Sequence, residues 1–130
     1  MVKPASFIVA LPLCAILLGG CSSGQPLAAI PEGLDLAKVP VDSIAMTAEH
    51  FHFTPDEIHV KEGTMLVISI KALDGTHGFA ISDFGINEEI EEGQTKTVRW
   101  YARGKGEVGF HCSHLCGMGH LGMNGKIIVE

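Results

Sequence analysis

Short β-type runs separated by turn residues fill this chain from Ile44 onward, and they restrict the fold more than any other feature. The runs Ile44 to Phe53, Glu57 to Val60, Met65 to Leu73, Gly78 to Ser82, Thr95 to Tyr101, Glu107 to Cys112 and Lys126 to Val129 read as strands. Between them stand Thr54-Pro55-Asp56, Glu62-Gly63, Asp74-Gly75, Glu92-Gly93 and Arg103-Gly104-Lys105-Gly106, residues that set φ or bond their own backbone in turns. Leu66, Ile68 and Ile70 share one face of their run while Val67 and Ser69 take the other, so at least one face of that strand is buried. With no amphipathic helical stretch and no internal repeat, the pattern predicts an all-β sandwich or barrel.

The N-terminus decides which cysteines remain available. Lys3 precedes a mostly apolar stretch, Ala5 to Leu18, which Pro12 interrupts and which ends in Leu18-Gly19-Gly20-Cys21. This predicts a lipoprotein signal over residues 1–20, with Cys21 lipidated as the first residue of the mature protein. The stretch is shorter than the roughly 20 apolar residues of a spanning helix. An uncleaved membrane anchor is the alternative. Residues 21–42, rich in Ala, Pro, Gly and Ser, read as a tether, and residues 43–130 as the folded domain. Removing residues 1–20 leaves 110 residues, one domain by size, with Cys112 and Cys116 as the free thiols. The expected location is therefore the outer face of the cytoplasmic membrane, in the periplasm or at the cell exterior. Ser22 after the lipidated position permits outer-membrane sorting.

The signal takes one lysine and no acid with it, so the formal charge moves from −6 to −7. Such a surface excludes nucleic acid as a partner and suits a cationic one.

Cys112-Ser-His-Leu-Cys116-Gly-Met-Gly-His120-Leu-Gly-Met123 places two thiols with the imidazole of His120 and the thioether of Met123 in twelve residues. Soft sulfur ligands with imidazole favour copper, zinc or iron-sulfur clusters. A Cys-x3-Cys-x3-His-x2-Met run directly after a strand can curl so that its ligands face one centre. His77 is the candidate for a second imidazole, because Asp74-Gly75-Thr76 turns the chain before it and His77-Gly78-Phe79 opens the next strand. The residues alone leave other readings open. Cys112 and Cys116 could form a disulfide in an exported chain. Cys116, His120, Met123 and His77 could hold one copper of the blue type, and a structural zinc would use four strong ligands without methionine.

His77-Gly-Phe, the Cys-x3-Cys-Gly-x2-His-x2-Met run and the following Gly125-Lys-Ile-Ile-Val resemble the CuA domain of cytochrome oxidase subunit II, shared with the C-terminal domain of nitrous oxide reductase. Phe53-Thr-Pro-Asp-Glu-Ile-His-Val-Lys-Glu-Gly63 is similar to the opening strands of cupredoxins, so the resemblance covers about Ile44 to Glu130. It implies a cupredoxin-like Greek-key β-sandwich with a two-copper centre at one end. Cys112 and Cys116 would bridge both coppers, His77 and His120 would each ligate one, Met123 would be a weak axial ligand, and the backbone carbonyl of His114 the other weak ligand. The implied role is electron transfer from a cytochrome c-type donor to a membrane haem-copper oxidase. The chain would act as a lipid-anchored subunit or a free-standing carrier, without catalysis of its own. Copper delivery to an apo-oxidase is the alternative from a different class.

Several other residues carry expectations. Phe79, Leu115 and Leu121 would form an apolar shell that limits water at the metals. Trp100 and Tyr101 would pack in the core or contribute to an electron path. Glu88, Glu89, Glu91 and Glu92, with Asp83 nearby, would form an exposed turn or a docking patch for a basic donor. His50 and His52 would lie on one strand face, exposed or holding a second metal, and His59 has no partner visible in sequence. His111 and His114 sit inside the ligand run, and Met118 covers the site as a loop residue.

Overall fold

The computed structural model describes residues 27–130; the predicted signal over 1–20, the lipidation site Cys21 and residues 22–26 lie outside the described residues. Two sheets face each other. The first has the order β2-β1-β4-β7, built from β1 (Val41–Glu49), β2 (His52–Thr54), β4 (Met65–Ala72) and β7 (Thr95–Tyr101). The second has the order β3-β9-β8-β5-β6, from β3 (Glu57–Val60), β5 (His77–Ile81), β6 (Ile86–Ile90), β8 (Gly106–His111) and β9 (Asn124–Val129). Parallel pairing of β1 with β4 and of β3 with β9 gives each sheet one crossover neighbour, and the remaining pairs are antiparallel.

The alternation read from the sequence sets the register. Leu66, Ile68 and Ile70 of β4 are fully buried and Val67 and Ser69 are only partly so, as a period of two requires. From the opposite sheet Ile58, Phe79, Ile81, Phe110 and Ile127 close the core. Phe53, Phe79 and Phe110 form a triangle with ring centroids 5.2 to 5.7 Å apart. Each such side chain, fully buried, contributes about 1.5 to 3 kcal/mol. Trp100 belongs to this core, edge-on to Phe84 at 5.2 Å.

The structure departs from the sequence expectation in four places. The run Ile44 to Phe53 is two strands, broken at His50 and Phe51, so His50 and His52 do not share one strand face. Ile86–Ile90, expected within an acidic turn, is the edge strand β6. Asp83 sits past the end of β5, at the far end of β6 from Glu91 and Glu92, and is no part of their patch. Within the expected tether, residues 27–29 are laid against the domain. The Leu27 N–H donates to the Asp83 carbonyl at 2.8 Å, and the Tyr101 N–H to the Ala29 carbonyl at 3.0 Å. The Arg103 guanidinium donates to the Ala28 carbonyl and lies 5.4 Å from the centre of the Phe84 ring.

Among the described residues, no helix is long and apolar enough to cross a membrane.

Candidate metal centre

β5 and β8 are neighbours, paired at Ala80 and His111, so the start of β5 and the chain leaving β8 meet at one end of the sandwich. That brings His77 and Cys112 together. The Cys112 N–H donates to the Met123 carbonyl at 2.9 Å, closing the ligand run into a loop whose two ends are bound to each other. A short 3-10 turn, His120–Gly122, lies between them.

Within that loop the Cys112 and Cys116 sulfurs stand 3.6 Å apart. That is far beyond the roughly 2.05 Å of a disulfide, and both residues are free thiols. Cys112 Sγ is 3.1 Å from the His114 carbonyl oxygen. Cys116 Sγ is 3.7 Å from His120 Nδ1 and 3.8 Å from Met123 Sδ. On the other side, one ring nitrogen of His77 and the two sulfurs lie within 4.8 Å of one another. His77, Cys112 and Met123 are buried, while Cys116 and His120 are partly exposed.

The orientation of His77 follows from Asp74. His77 Nε2 is 2.6 Å from the Asp74 carbonyl oxygen and 3.0 Å from Asp74 Oδ1, so this nitrogen carries the proton. Nδ1 is then left with its lone pair bare, and it is buried without a hydrogen-bond partner. An orphaned buried acceptor of this kind is expensive unless something occupies it. Burial opposes the charge of Asp74, but hydrogen bonds from His77, the His50 backbone and the His50 ring outweigh it and hold the carboxyl at about 2. Asp74 is thus an anion that fixes the tautomer of its neighbour, as partners of metal-bound histidines commonly do.

Burial, with the neighbouring Cys112, pushes the Cys116 thiol up to about 11. Without a metal this sulfur keeps its proton at neutral pH, and a bound cation must displace it. Two sulfurs, one orphaned imidazole nitrogen, a second imidazole, a thioether and a carbonyl fit a soft transition metal.

The loop carrying these groups is held from outside. Gly78 donates its N–H to Cys112 Sγ at 3.4 Å. A Cβ at this glycine would overlap the Ser113 side chain and come within 2.8 Å of the Ser113 backbone nitrogen, so the close approach requires its absence. From β6, Asn87 Oδ1 accepts from Ser113 Oγ at 2.6 Å, and Glu89 Oε2 is 3.0 Å from His114 Nδ1.

Other expectations meet a different outcome. Leu115 is 78% and Leu121 95% exposed, so neither shields the centre, and Phe79 lies in the aromatic core. Met118 is fully exposed beside them in sequence, which makes this end of the fold apolar toward solvent. His59, for which sequence gave no partner, is bound by Glu57 at 2.8 Å and Glu130 at 2.7 Å. His50 meets Asp74 at 2.8 Å and His52 meets Glu49 at 3.3 Å. His111 is exposed. Asp74, Asn87, Glu89 and Phe51 are the residues around the ligands that sequence reasoning missed; an acid three residues before His77 was the one local signal available.

A family described as the cupredoxin-like domain matches residues 14–129. Cytochrome c oxidase subunit 2 of Thermus thermophilus is 34% identical over 88 residues, covering 68% of this chain and 65% of that protein. Nitrous-oxide reductase of Stutzerimonas stutzeri is 30% identical over 91 residues, covering 67% of this chain and 14% of the reductase. The chain therefore spans less than two thirds of the length of these relatives. Among solved structures, the periplasmic domain of subunit II of cytochrome oxidase (CoxB) of Bradyrhizobium japonicum superposes with a TM-score of 0.63 at 20% identity, covering 68% of this chain and 83% of that one.

Proposed function

The chain belongs to the cupredoxin-like domain family, and from that premise we propose that it is an electron-transfer protein with a dinuclear copper centre of the CuA type. His77, Cys112, Cys116, His120 and Met123 would be its side-chain ligands, and His114 would contribute its backbone carbonyl. The observation that carries the reading is the pair of free sulfurs 3.6 Å apart, with the bare Nδ1 of His77 on one side and Nδ1 of His120 on the other. Copper held by the two thiols and two imidazoles would supply one-electron transfer, with the electron spread over the soft sulfur ligands so that the ligand positions would change little.

The residues of the chain do the rest. Asp74 fixes the Nε2–H tautomer of His77 and aims its ring, Gly78 lets the loop lie close, and β6 fixes Ser113 and His114. A ligand set that cannot relax keeps reorganisation small. The solvent-facing Leu115, Met118 and Leu121 give a redox partner an apolar surface at the metal end. Glu91 and Glu92 follow β6 at that same end, where they would steer a basic cytochrome c-type donor. A haem-copper oxidase of the membrane is the proposed acceptor. A lipid on Cys21 would hold the chain, after cleavage of residues 1–20, at the periplasmic or exterior membrane face.

Copper stoichiometry with electron paramagnetic resonance tests the reading. The expected result is two coppers per chain and a multi-line signal from one electron shared by two nuclei. Cys112→Ser should abolish that signal. A single localised copper, unaffected by this substitution, would overturn the dinuclear assignment in favour of a blue-copper site on Cys116.

A further inference from the structure

The turn His50–Phe51 contributes nothing to the ligand set, yet its two side chains reach both halves of it. The His50 N–H donates to Asp74 Oδ1 at 3.0 Å and Oδ2 at 3.2 Å, and the His50 ring nitrogen Nδ1 lies 2.8 Å from Oδ2. Asp74 accepts in turn from Nε2 of His77, and the two imidazole rings are 5.3 Å apart, edge to face. The next residue faces the other half. A Cβ on Gly117 would lie 2.8 Å from the Phe51 ring, and one on Gly119 would overlap it. The ring therefore occupies space that only two glycines, flanking Met118 between Cys116 and His120, leave free. Gly117 also has φ +138, a conformation side chains rarely adopt.

We infer that this turn is a two-armed clamp of positioning residues. His50 acts on His77 through Asp74, and Phe51 acts on the Cys116–His120 segment through Gly117 and Gly119. The inference rests on the reading of these residues as one metal centre and says how that centre keeps its shape. His77 and His120 come from different elements, and the turn touches the surroundings of both. The two arms, whose rings meet edge to face at 4.9 Å, contact different parts of the site and hold the imidazoles at their separation before a metal arrives.

The test uses the full chain, reduced and metal-free, and reads the side-chain nitrogen resonances of each histidine together with backbone amide exchange. His50→Ala should disturb the single Nε2–H form of His77 and leave His120 as it was. His50→Gln, whose amide can still donate to Asp74, should restore the His77 signal. Phe51→Ala should broaden His120 and speed exchange of the His120 and Met123 amides about tenfold, with His77 unchanged. Gly119→Ala pushes on the same ring from the loop side and should reproduce the His120 response, which keeps the second arm testable if Phe51→Ala folds poorly. Substitutions that move both histidines together, or neither, would overturn the clamp, since packing alone loosens the site as a whole. Because no metal is present in these measurements, failure of the copper assignment and failure of the clamp are seen in different experiments.

Discussion

Ser113 Oγ donates a 2.6 Å hydrogen bond to Asn87 Oδ1, tying the residue after the first thiol to an edge strand 26 positions earlier. The neighbouring His114 is held to Glu89 of the same strand. One face of β6 is thereby a wall for the ligand loop. Removing either partner should cost about 0.5 to 1.5 kcal/mol. In a double-mutant cycle, Ser113→Ala and Asn87→Ala together should destabilise the metal-free protein in urea by less than the sum of the two alone. Strict additivity would mean that the bond contributes nothing in solution.

Gly78→Ala should be far more damaging than its size suggests. The added methyl would meet Ser113 and the His114 backbone nitrogen, which are fixed by their own partners. We expect a loss of about 1 to 3 kcal/mol and weaker copper binding, read by denaturant titration and metal competition. Gly122→Ala, where nothing lies within 4 Å of the new atom, is the control and should be near neutral.

Electron transfer from a basic donor should slow as salt rises, because Glu91 and Glu92 are exposed and their attraction acts through solvent. Glu91→Gln and Glu92→Gln should each lower the association rate about twofold at low ionic strength. A rate that does not change with salt would leave the apolar surface of Leu115, Met118 and Leu121 as the sole docking element.

The His59 cluster gives a pH signature remote from the ligands. Hydrogen bonds to Glu130 and then Glu57 raise His59 above its ordinary 6.5, and the bonds from His59 and Lys126 lower Glu57 below 4.5. A raised histidine stabilises the fold below its unfolded value and stops doing so as pH climbs through the folded one; a lowered carboxylate stabilises above its unfolded value and stops as pH falls through the folded one. Both contributions are therefore present between about pH 4.5 and 6.5. The thermal midpoint of the protein relative to His59→Gln should be highest in that window and converge above it. A difference independent of pH would contradict the ion pairing.

How much of this was legible beforehand depended on how local each signal is. β4 and β7 could be read because apolar side chains recur at every second position, Leu66, Ile68 and Ile70 in one and Val98 and Trp100 in the other, and the ligand run could be read because thiols, imidazole and thioether are close in sequence. β6 was missed because Glu88 and Glu89 mask the apolar positions Ile86 and Ile90 on either side. The break at His50 and Phe51 carries no Gly or Pro, so nothing in the run announced it. Leu115 and Leu121 were assigned to a shell on hydrophobicity alone, whereas the direction of a loop side chain is set by contacts elsewhere in the chain. The same holds for Asn87, Glu89 and His50, whose partners lie 24 to 26 residues away.

The seat of residues 27–29 gives the domain a polarity. Tyr101, whose N–H holds Ala29, pairs with Met65 at the start of β4, while β4 ends at Ala72 and runs on toward Asp74 and His77. Asp83, which holds Leu27, likewise follows the far end of β5. The arm is thus gripped at the pole away from the ligands, at least the length of β5, roughly 15 Å, from His77. A molecule that seats residues 27–29 on one pole and its candidate ligands on the other leaves the candidate pole clear of those residues for a bulky partner approaching head-on.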